Sequence, residues 1–444
     1  MKNLVLFHLE SLNNVIFKMH PDCFPKLRCF IEEATYYSNY YSTATSTYMT
    51  ITDLFYGSTM QFEKSSYLED IFSVKSQKIS IFDWLKDRGY ETKCYCFGDQ
   101  EGKEAKKYAN VFCGGAAFWE SLNDKNCMLR DVETVFSKKE PFAVFFMDSE
   151  SHWMNTQMYT EKLEKKAIPE IFNYKYKMLD ETFGMVIESL KKSGQYDETV
   201  VVAYGDHGDE FFGHGLHDGY THAIEPFPFM VNCPLIVRNA QIRETGNVIS
   251  TVDVYDIIKS SLYGRLCECG RKFAFSRNLF SRQGVSKKSF NKSYMVTDGR
   301  YSLMVSQQGL SLYWCQADVY NGRNLLDFFK LTNKKICYKE IYHNLKGSHY
   351  KYIMNEIEQE IIVDEVRVLK KKLQDFIRVI YEGEVDELKF DKINYSHDVC
   401  DLELKIRLYI RKSIKKTIHV MNNIVCINSL KNSRVYKILY ELYG

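Results

Sequence analysis

Proline, net charge and long apolar runs are all scarce in this chain. Of its 444 residues, 7 are proline and 23 are glycine, too few for a collagen-like or proline-rich linker architecture. The 59 Lys and Arg residues nearly balance the 57 Asp and Glu residues, which excludes a strongly basic protein that coats nucleic acid and an acidic disordered one. No apolar run reaches the ~20 residues that a membrane helix needs. With these classes excluded, the length of the chain is typical of a globular protein of two or three domains.

The start of the chain lacks the features of a secretory signal peptide. Its apolar stretch ends at once in His8, Glu10 and Ser11, and no small-residue cleavage site follows. The 13 cysteines are odd in number and irregularly spaced, which is typical of reduced thiols rather than of a disulfide framework. We therefore expect a cytoplasmic protein. The sequence leaves its oligomeric state open.

Strand-like and helix-like segments alternate along the first part of the chain. Tyr174–Ser193 has the periodicity of an amphipathic helix. Continuous apolar runs are typical of strands buried on both faces of a parallel sheet, and the sequence has four of them: Leu4–Leu9, Phe142–Asp148, Thr199–Tyr204 and Leu235–Arg238. This alternation predicts an α/β core with a mainly parallel central sheet at residues 1–265.

The pattern changes after this core. Ser293–Val305 and Gly309–Cys315 alternate like an antiparallel hairpin, so residues 266–335 are predicted to form a small β subdomain. Residues 336–444 have a helical pattern and are predicted to form a C-terminal extension. Within it, residues 402–418 are rich in Lys and Arg. This stretch is either a face that contacts a membrane or a partner, or a solvated outer face.

Polar side chains follow three of the predicted strands. Glu10 follows the first, His152 comes shortly after the second, and Asp206 and His207 follow the third. Because the carboxyl ends of parallel strands meet at one edge of a sheet, we expect these groups to lie near one another. Two carboxylates and an imidazole can bind a divalent cation, and this mixture of oxygen and nitrogen ligands suits Mn²⁺ or Zn²⁺ rather than Ca²⁺.

A hydroxyl-rich segment, TATSTYMTITDLFYG, runs from Thr43 to Gly57 and leads into a predicted helix. A hydroxyl at the start of a helix commonly serves only as its cap. The same position also favours a phosphate, because backbone N–H groups and the helix dipole point at it. A cation beside such a hydroxyl lowers its pKa and makes it a nucleophile. The segment is therefore the candidate source of a nucleophile.

In this chain order, the features resemble the alkaline phosphatase/sulfatase superfamily. The best match is Asp197–Arg238, which contains a strand, Asp-His-Gly-Asp, a His-Gly, a further His and a strand that begins Pro-Leu-Ile-Val. The resemblance covers residues 3–326. It implies a sulfatase-like α/β sandwich with a small antiparallel C-terminal sheet, and a metal-dependent enzyme.

Within the superfamily, the chain most resembles phospho-group transferases of cell envelopes, the phosphoethanolamine transferases and lipoteichoic acid synthases. Their single N-terminal Glu is similar to Glu10, and their Thr-x-Thr motif is similar to Thr43-Ala44-Thr45. The resemblance implies that the second Thr, Thr45, is the nucleophile and a metal ligand beside Glu10, Asp206 and His207. Thr43 and Thr47 stay open as alternatives.

Two departures from true sulfatases bear on the chemistry. True sulfatases have a Cys-x-Pro-Ser-Arg motif at the nucleophile. This sequence has no cysteine between Cys29 and Cys94. The paired aspartates of sulfatases are replaced by the lone Glu10, which implies one tightly bound metal and a second site that is weaker or absent. Sulfate-ester hydrolysis through a modified cysteine is therefore not expected.

The remaining histidines are assigned by the resemblance. It implies that His152 contacts the transferred group or a second metal, and that His152 or His222 protonates the leaving alcohol. His214 and His222 match positions that bind a second metal or phosphate. His217 is interpreted as a loop residue, and His8 as a buried neighbour of the site.

The expected function is a metal-dependent transferase of surface-polysaccharide biosynthesis. It would move a phosphate-linked group, of phosphoethanolamine, phosphoglycerol or phosphoramidate type, from a phosphate-ester donor to a glycan or lipid-linked saccharide through a phosphothreonine. One alternative is a phosphodiesterase or phosphomonoesterase that uses water on the same site. The other is an inactive scaffold that acts through its C-terminal helices. We expect no nucleic-acid partner.

Overall fold

A computed structural model describes most of the chain up to residue 392. The described residues are 1–60, 78–97, 118–122, 125–149, 151–152, 169–209, 222–279, 292–307, 309–316, 321, 324–327, 340–345, 348–353, 356–380 and 388–392.

The strands and helices of these residues are numbered here in chain order. The strands are β1 (Asn3–Leu9), β2 (Thr35–Tyr37), β3 (Tyr40–Tyr41), β4 (Glu91–Phe97), β5 (Phe118–Leu122), β6 (Phe142–Asp148), β7 (Thr199–Gly205), β8 (Leu235–Arg238), β9 (Gln241–Glu244), β10 (Ile249–Ser250), β11 (Leu266–Cys269), β12 (Ala274–Asn278), β13 (Ser293–Thr297), β14 (Tyr301–Ser306), β15 (Leu310–Trp314), β16 (Glu340–Leu345) and β17 (Ser348–Ile353). The α-helices are α1 (Asn14–Met19), α2 (Pro25–Ile31), α3 (Thr47–Tyr56), α4 (Ile81–Lys86), α5 (Lys125–Phe136), α6 (Pro169–Lys192), α7 (Pro228–Val231), α8 (Asp253–Leu262) and α9 (Glu356–Ile380).

A seven-stranded sheet in the order β2-β8-β7-β1-β6-β4-β5 forms the centre of the fold. Strands β7, β1, β6, β4 and β5 are parallel to their neighbours in this row, and β8 runs antiparallel to β7 and to β2. The mainly parallel α/β core expected from the alternating pattern is therefore confirmed.

Apolar side chains of β1 fill the layers on both faces of this sheet. Leu4 and Leu6 point into one buried cluster, and Val5 and Phe7 point into the other. Successive side chains of a strand alternate between faces, so a strand covered on both sides must be apolar throughout. This is why the sequence of β1 is an almost unbroken apolar run.

A separate sheet of four antiparallel strands, β12-β13-β14-β15, follows the core. Helix α9 packs on it, with Leu369, Leu373 and Ile377 buried against apolar side chains such as Leu303 and Leu312. The small antiparallel sheet predicted from the sequence is confirmed, and the helix after it is part of the same packing unit.

One interpretation of the C-terminal region is wrong. The helical pattern assigned beyond residue 336 includes β16 and β17, which pair as an antiparallel hairpin before α9 begins. The hairpin is rich in tyrosine and has little apolar periodicity, so its sequence favours neither structure strongly. The basic stretch at 402–418 lies outside the described residues. Among the helices that the structure describes, none has the length and apolar character to span a bilayer.

Candidate active site

The neighbouring parallel strands β1 and β7 end side by side at one edge of the central sheet. Leu9 is in register with Gly205, so the next residues, Glu10 and Asp206, leave the sheet together. His207 follows Asp206, and all three polar residues are completely buried. The topology thus brings together the two carboxylates and the imidazole that the sequence placed at strand ends.

Two glycines allow this close approach. A Cβ at Gly205 would lie 2.2 Å from the carbonyl oxygen of Leu12, and a Cβ at Gly208 would lie 2.3 Å from the side-chain nitrogen of Asn13. Both distances are far shorter than non-bonded contacts allow. The glycines on either side of Asp206 and His207 therefore let the segment after β1 pass directly beside them.

Thr47 supplies the hydroxyl of this cluster. It is the first residue of α3, after Ser46 as the N-cap, so its side chain lies at the positive end of the helix dipole. Its Oγ1 is 3.1 Å from Nε2 of His207 and 3.4 and 3.5 Å from the two carboxylate oxygens of Glu10. We call Glu10, Thr47, Asp206 and His207 the carboxylate side of the site.

Thr45, the expected nucleophile, is not part of this cluster. Its Oγ1 donates a hydrogen bond of 2.8 Å to the carbonyl of Ile224, and its own carbonyl accepts one from the N–H of Ala223. Thr45 therefore fixes the segment that follows His222. The Thr-x-Thr pattern occurs twice in a row, as Thr43-Ala44-Thr45 and as Thr45-Ser46-Thr47, and only the second copy ends where the helix begins. The position of the helix start is therefore the sequence signal that distinguishes the second copy from the first.

Ser11 contacts both carboxylates of the site. Its Oγ donates to Oε1 of Glu10 at 3.0 Å, and its backbone N–H donates to Oδ1 of Asp206 at 3.0 Å. Its carbonyl accepts a hydrogen bond from the hydroxyl of Tyr176. Its φ of 55° lies in the left-handed region, which is uncommon for a residue with a Cβ. Sequence reasoning gave Ser11 no role.

The charges of this cluster are strongly perturbed. Burial and the nearby charges of Asp206 and Asp209 raise the pKa of Glu10 well above its usual value. Burial also opposes ionisation of Asp206, but the neighbouring His207 and His8 outweigh it and hold its pKa low. Burial lowers the pKa of His207 to about 4, so its imidazole is neutral near pH 7, the form that binds metals.

A bound divalent cation fits this set of groups. Two buried carboxylates face each other, and such charges need a compensating cation. Oδ2 of Asp206 has no hydrogen-bond partner within the described part of the chain, although it is completely buried. Among the residues that the structure describes, two groups have donor atoms close enough for a shared ion: one is Glu10, Asp206 and His8, and the other is His207, Asp209 and His222.

A second cluster, which we call the histidine side, consists of His152, Asp209 and His222. Nδ1 of His222 is 2.9 Å from Oδ1 of Asp209, and Asp209 is completely buried. The ring of His222 lies 4.4 Å from that of His207 and 4.8 Å from that of His152, measured between centroids. Burial, with the neighbouring His222 and His207, lowers the pKa of His152 well below its usual value.

The histidine side contains one residue that the sequence did not single out. Asp209 is the last residue of the Asp-His-Gly-Asp motif, and no periodic pattern in the sequence relates it to His222. His152 and His222, which the resemblance assigned to the transferred group or a second metal, do lie together: His222 is beside both His152 and His207. His214 lies outside the described residues.

A family model for sulfatases matches residues 2–262, which is the whole α/β core with both strand ends of the site. The chain belongs to the sulfatase family. No curated protein matches.

Solved structures of this family share the fold. A sulfatase candidate from Bacteroides thetaiotaomicron superposes with a TM-score of 0.59 at 14% identity, over 89% of this chain and 96% of that one. The sulfatase candidate yidJ from Bacteroides fragilis gives 0.56 at 14% identity, over 88% and 98%. A 2-O glycosaminoglycan sulfatase, BT1596, gives 0.56 at 15% identity, over 90% and 96%. At these identities the likeness establishes the α/β sulfatase fold.

Proposed function

We propose that this protein is a metal-dependent phospho-group transferase in which Thr47 is the nucleophile. One observation carries the proposal: the Thr47 hydroxyl lies at the start of α3, between His207 and the carboxylate of Glu10. A buried hydroxyl held among metal-binding groups at a helix N-terminus is suited to attack a phosphoryl group.

Glu10, Thr47, Asp206 and His207 would hold the cation, which is Mn²⁺ or Zn²⁺ by the chemistry of these donors. When bound, it supplies a Lewis acid that lowers the pKa of the Thr47 hydroxyl and neutralises charge on the phosphoryl group. Thr47 Oγ1 forms a bond to phosphorus, and the bond from phosphorus to the donor's alcohol oxygen breaks. The acceptor's hydroxyl then attacks phosphorus and releases Thr47.

His222 is placed to move the proton that this exchange requires. Asp209 accepts a hydrogen bond from Nδ1 of His222 in the tautomer that carries a proton there. Nε2 is then the atom that receives a proton from one alcohol or gives it to the other. His152 lies beside it and is neutral near pH 7 because its pKa is low. It would contact the transferred group through hydrogen bonds rather than through charge.

Threonine at the nucleophile favours phosphate over sulfate esters. Sulfatase-type hydrolysis through a modified cysteine needs a cysteine at the start of α3, and the sequence has none between Cys29 and Cys94. The family and the fold are compatible with either ester. The proposed donor carries phosphoethanolamine, phosphoglycerol or a phosphoramidate, and the proposed acceptor is a glycan or lipid-linked saccharide.

The location of the reaction belongs to the same proposal. We place the enzyme in the cytoplasm, in contact with the inner face of the membrane through the basic stretch 402–418. Each Lys or Arg near an anionic leaflet contributes up to about 1 kcal/mol to binding. Flotation of the full chain with vesicles of neutral or anionic lipid tests this contact. Equal binding to both would remove the electrostatic argument.

Intact-mass spectrometry tests the nucleophile. After incubation with phosphatidylethanolamine, phosphatidylglycerol or nucleotide-linked donors, the metal-loaded protein should gain one phospho-group, which peptide mapping should locate on Thr47. An adduct on Thr45 or Thr43 would overturn the proposal. So would the absence of an adduct with every donor if sulfate esters are hydrolysed.

Addition of oligosaccharide then separates transfer from hydrolysis: a glycan product supports the transferase, and a water-derived product alone supports the hydrolase. Absence of every turnover supports the scaffold.

A further inference from the structure

His8 is a completely buried imidazole inside the candidate site. Neither of its ring nitrogens has a hydrogen-bond partner among the residues that the structure describes. Buried polar atoms nearly always have a partner, so two unpaired nitrogens on one ring require an explanation. His8 belongs to β1, at the centre of the main sheet.

The strand itself directs His8 toward the site. His8 and Glu10 are two residues apart at the end of β1, so their side chains leave on the same face. His8 is also in register with Tyr204 of β7, which is two residues before Asp206. The backbone of two neighbouring strands thus places His8 one step behind the pair of carboxylates.

The distances around His8 are those of atoms that share one ion. Its Nε2 is 3.1 Å from Oδ2 of Asp206 and 3.6 Å from Oε2 of Glu10. Metal bonds to nitrogen and oxygen are about 2.0–2.2 Å long, so ligand atoms around one zinc ion lie roughly 3–3.6 Å apart. The two His8 distances fall in this range, and the donor atoms of all three residues lie within 4.8 Å of one another.

We propose that His8 is a metal ligand, so that two imidazoles, those of His8 and His207, bind the ion together with Glu10 and Asp206. This inference rests on the proposed function only in requiring that a divalent cation binds here. It adds a nitrogen donor on the strand that carries a single carboxylate, and two nitrogen donors favour Zn²⁺ over Mn²⁺.

The competing role for His8 is that of a neighbour which only donates a hydrogen bond to Asp206. The separation of 3.1 Å is within reach of such a bond, although Nε2 of His8 makes none to the described residues in this structure. Under this alternative the ion has one imidazole ligand. Loss of His8 would still weaken metal binding, because a residue that hydrogen-bonds to a metal ligand commonly raises metal affinity 10- to 100-fold. Metal affinity alone therefore does not separate the two roles.

X-ray absorption spectroscopy of the zinc-loaded protein separates them, because it counts imidazole ligands and needs no activity. We expect two imidazoles in the wild type and one in His8→Gln, whose affinity in a chelator competition should fall at least tenfold. His20→Gln, in a residue at the end of α1, is the matched control and should keep both ligands and the wild-type affinity. His222→Gln should also keep two imidazoles.

Each other outcome overturns the assignment. One imidazole in the wild type, or two in His8→Gln, removes His8 from the ligands. A loss in His222→Gln instead identifies His222 as the second nitrogen donor. Where His8→Gln does not fold, the wild type and His222→Gln decide together: two imidazoles in both support His8, and a count of one in either removes it from the ligands. If the wild type binds no divalent ion, the metal-dependent function fails as well, whereas zinc bound by one imidazole refutes only the role of His8.

Discussion

The carboxylate side of the site lies on strand ends and a helix start, whereas the histidine side lies on the segments between elements. Glu10 and Asp206 each come directly after a strand of the central sheet, and Thr47 begins α3. His152 and His222 lie outside every strand and helix, and Thr45 holds the segment after His222 through two hydrogen bonds. The sheet's topology positions the first group, and local contacts position the second.

This difference suggests a division of labour. Groups fixed by the ends of strands are suited to holding an ion, because coordination requires donor atoms at set distances. Groups on connecting segments are suited to following the donor and acceptor as one replaces the other. Substitutions on the carboxylate side should therefore remove metal or chemistry outright, and substitutions on the histidine side should slow transfer while the metal stays bound.

The largest effect is expected from Thr47→Ala. Without the hydroxyl no covalent intermediate can form, so turnover should fall by several orders of magnitude. Thr47→Ser keeps a hydroxyl and should retain measurable activity. Steady-state rates with the donor identified by mass spectrometry provide the measurement.

Thr45→Ala is the matched control for the same stretch of chain. It removes a hydroxyl two residues away that donates to Ile224. We expect a loss of about tenfold or less, through the segment that follows His222, and no loss of the covalent adduct. An inactive Thr45→Ala beside an active Thr47→Ala would reverse the assignment of the nucleophile.

Asp206→Asn should rank next, through loss of metal. The amide keeps the shape of the side chain but removes the negative charge that His207 and His8 stabilise. We expect the purified variant to hold less than a tenth of the wild-type metal, measured by elemental analysis. Full metal content in an inactive Asp206→Asn would show that this carboxylate acts on the substrate instead.

The sequence predicted the carboxylate side better than the histidine side, for a physical reason. Parallel strands end at a common edge, so Glu10, Asp206 and His207 could be grouped from their positions after apolar runs. The choice among the threonines depended on the residue at which α3 begins, and helix ends are the least certain feature of a sequence pattern. Sheet order, β16 and β17 had no comparable signal.

Asp209 and Ser11 show what such patterns omit. The contact of Asp209 with His222 joins residues 13 positions apart in the sequence, and no periodic pattern relates them. Ser11 acts through a left-handed backbone conformation, which sequence favours only when the residue is glycine, asparagine or aspartate. Asp209 thus orients a histidine on a connecting segment, whereas Ser11 contacts carboxylates that the sheet has already placed.

Asp209→Asn is expected to separate the two sides. It leaves the four residues of the carboxylate side intact, so metal content should stay close to wild type. The amide can present its N–H₂ to His222 and favour the wrong tautomer, which should lower turnover about 10- to 1,000-fold. Elemental analysis beside steady-state rates measures both. Loss of metal in this variant would show that Asp209 helps to hold the metal, as the residues of the carboxylate side do.

The smallest effects are expected at Ser11, where two variants separate orientation from strain. Ser11→Ala and Ser11→Gly both remove the hydroxyl that donates to Glu10, so both should weaken metal binding by a similar factor, about tenfold. They differ in the backbone: at a φ of 55° alanine keeps a strain of roughly 1 kcal/mol that glycine relieves. Ser11→Gly should therefore unfold at higher denaturant than Ser11→Ala while binding metal no better. If metal affinity followed stability across the pair, Ser11 would act only through the fold, and the carboxylate side would owe its geometry to the strand ends alone.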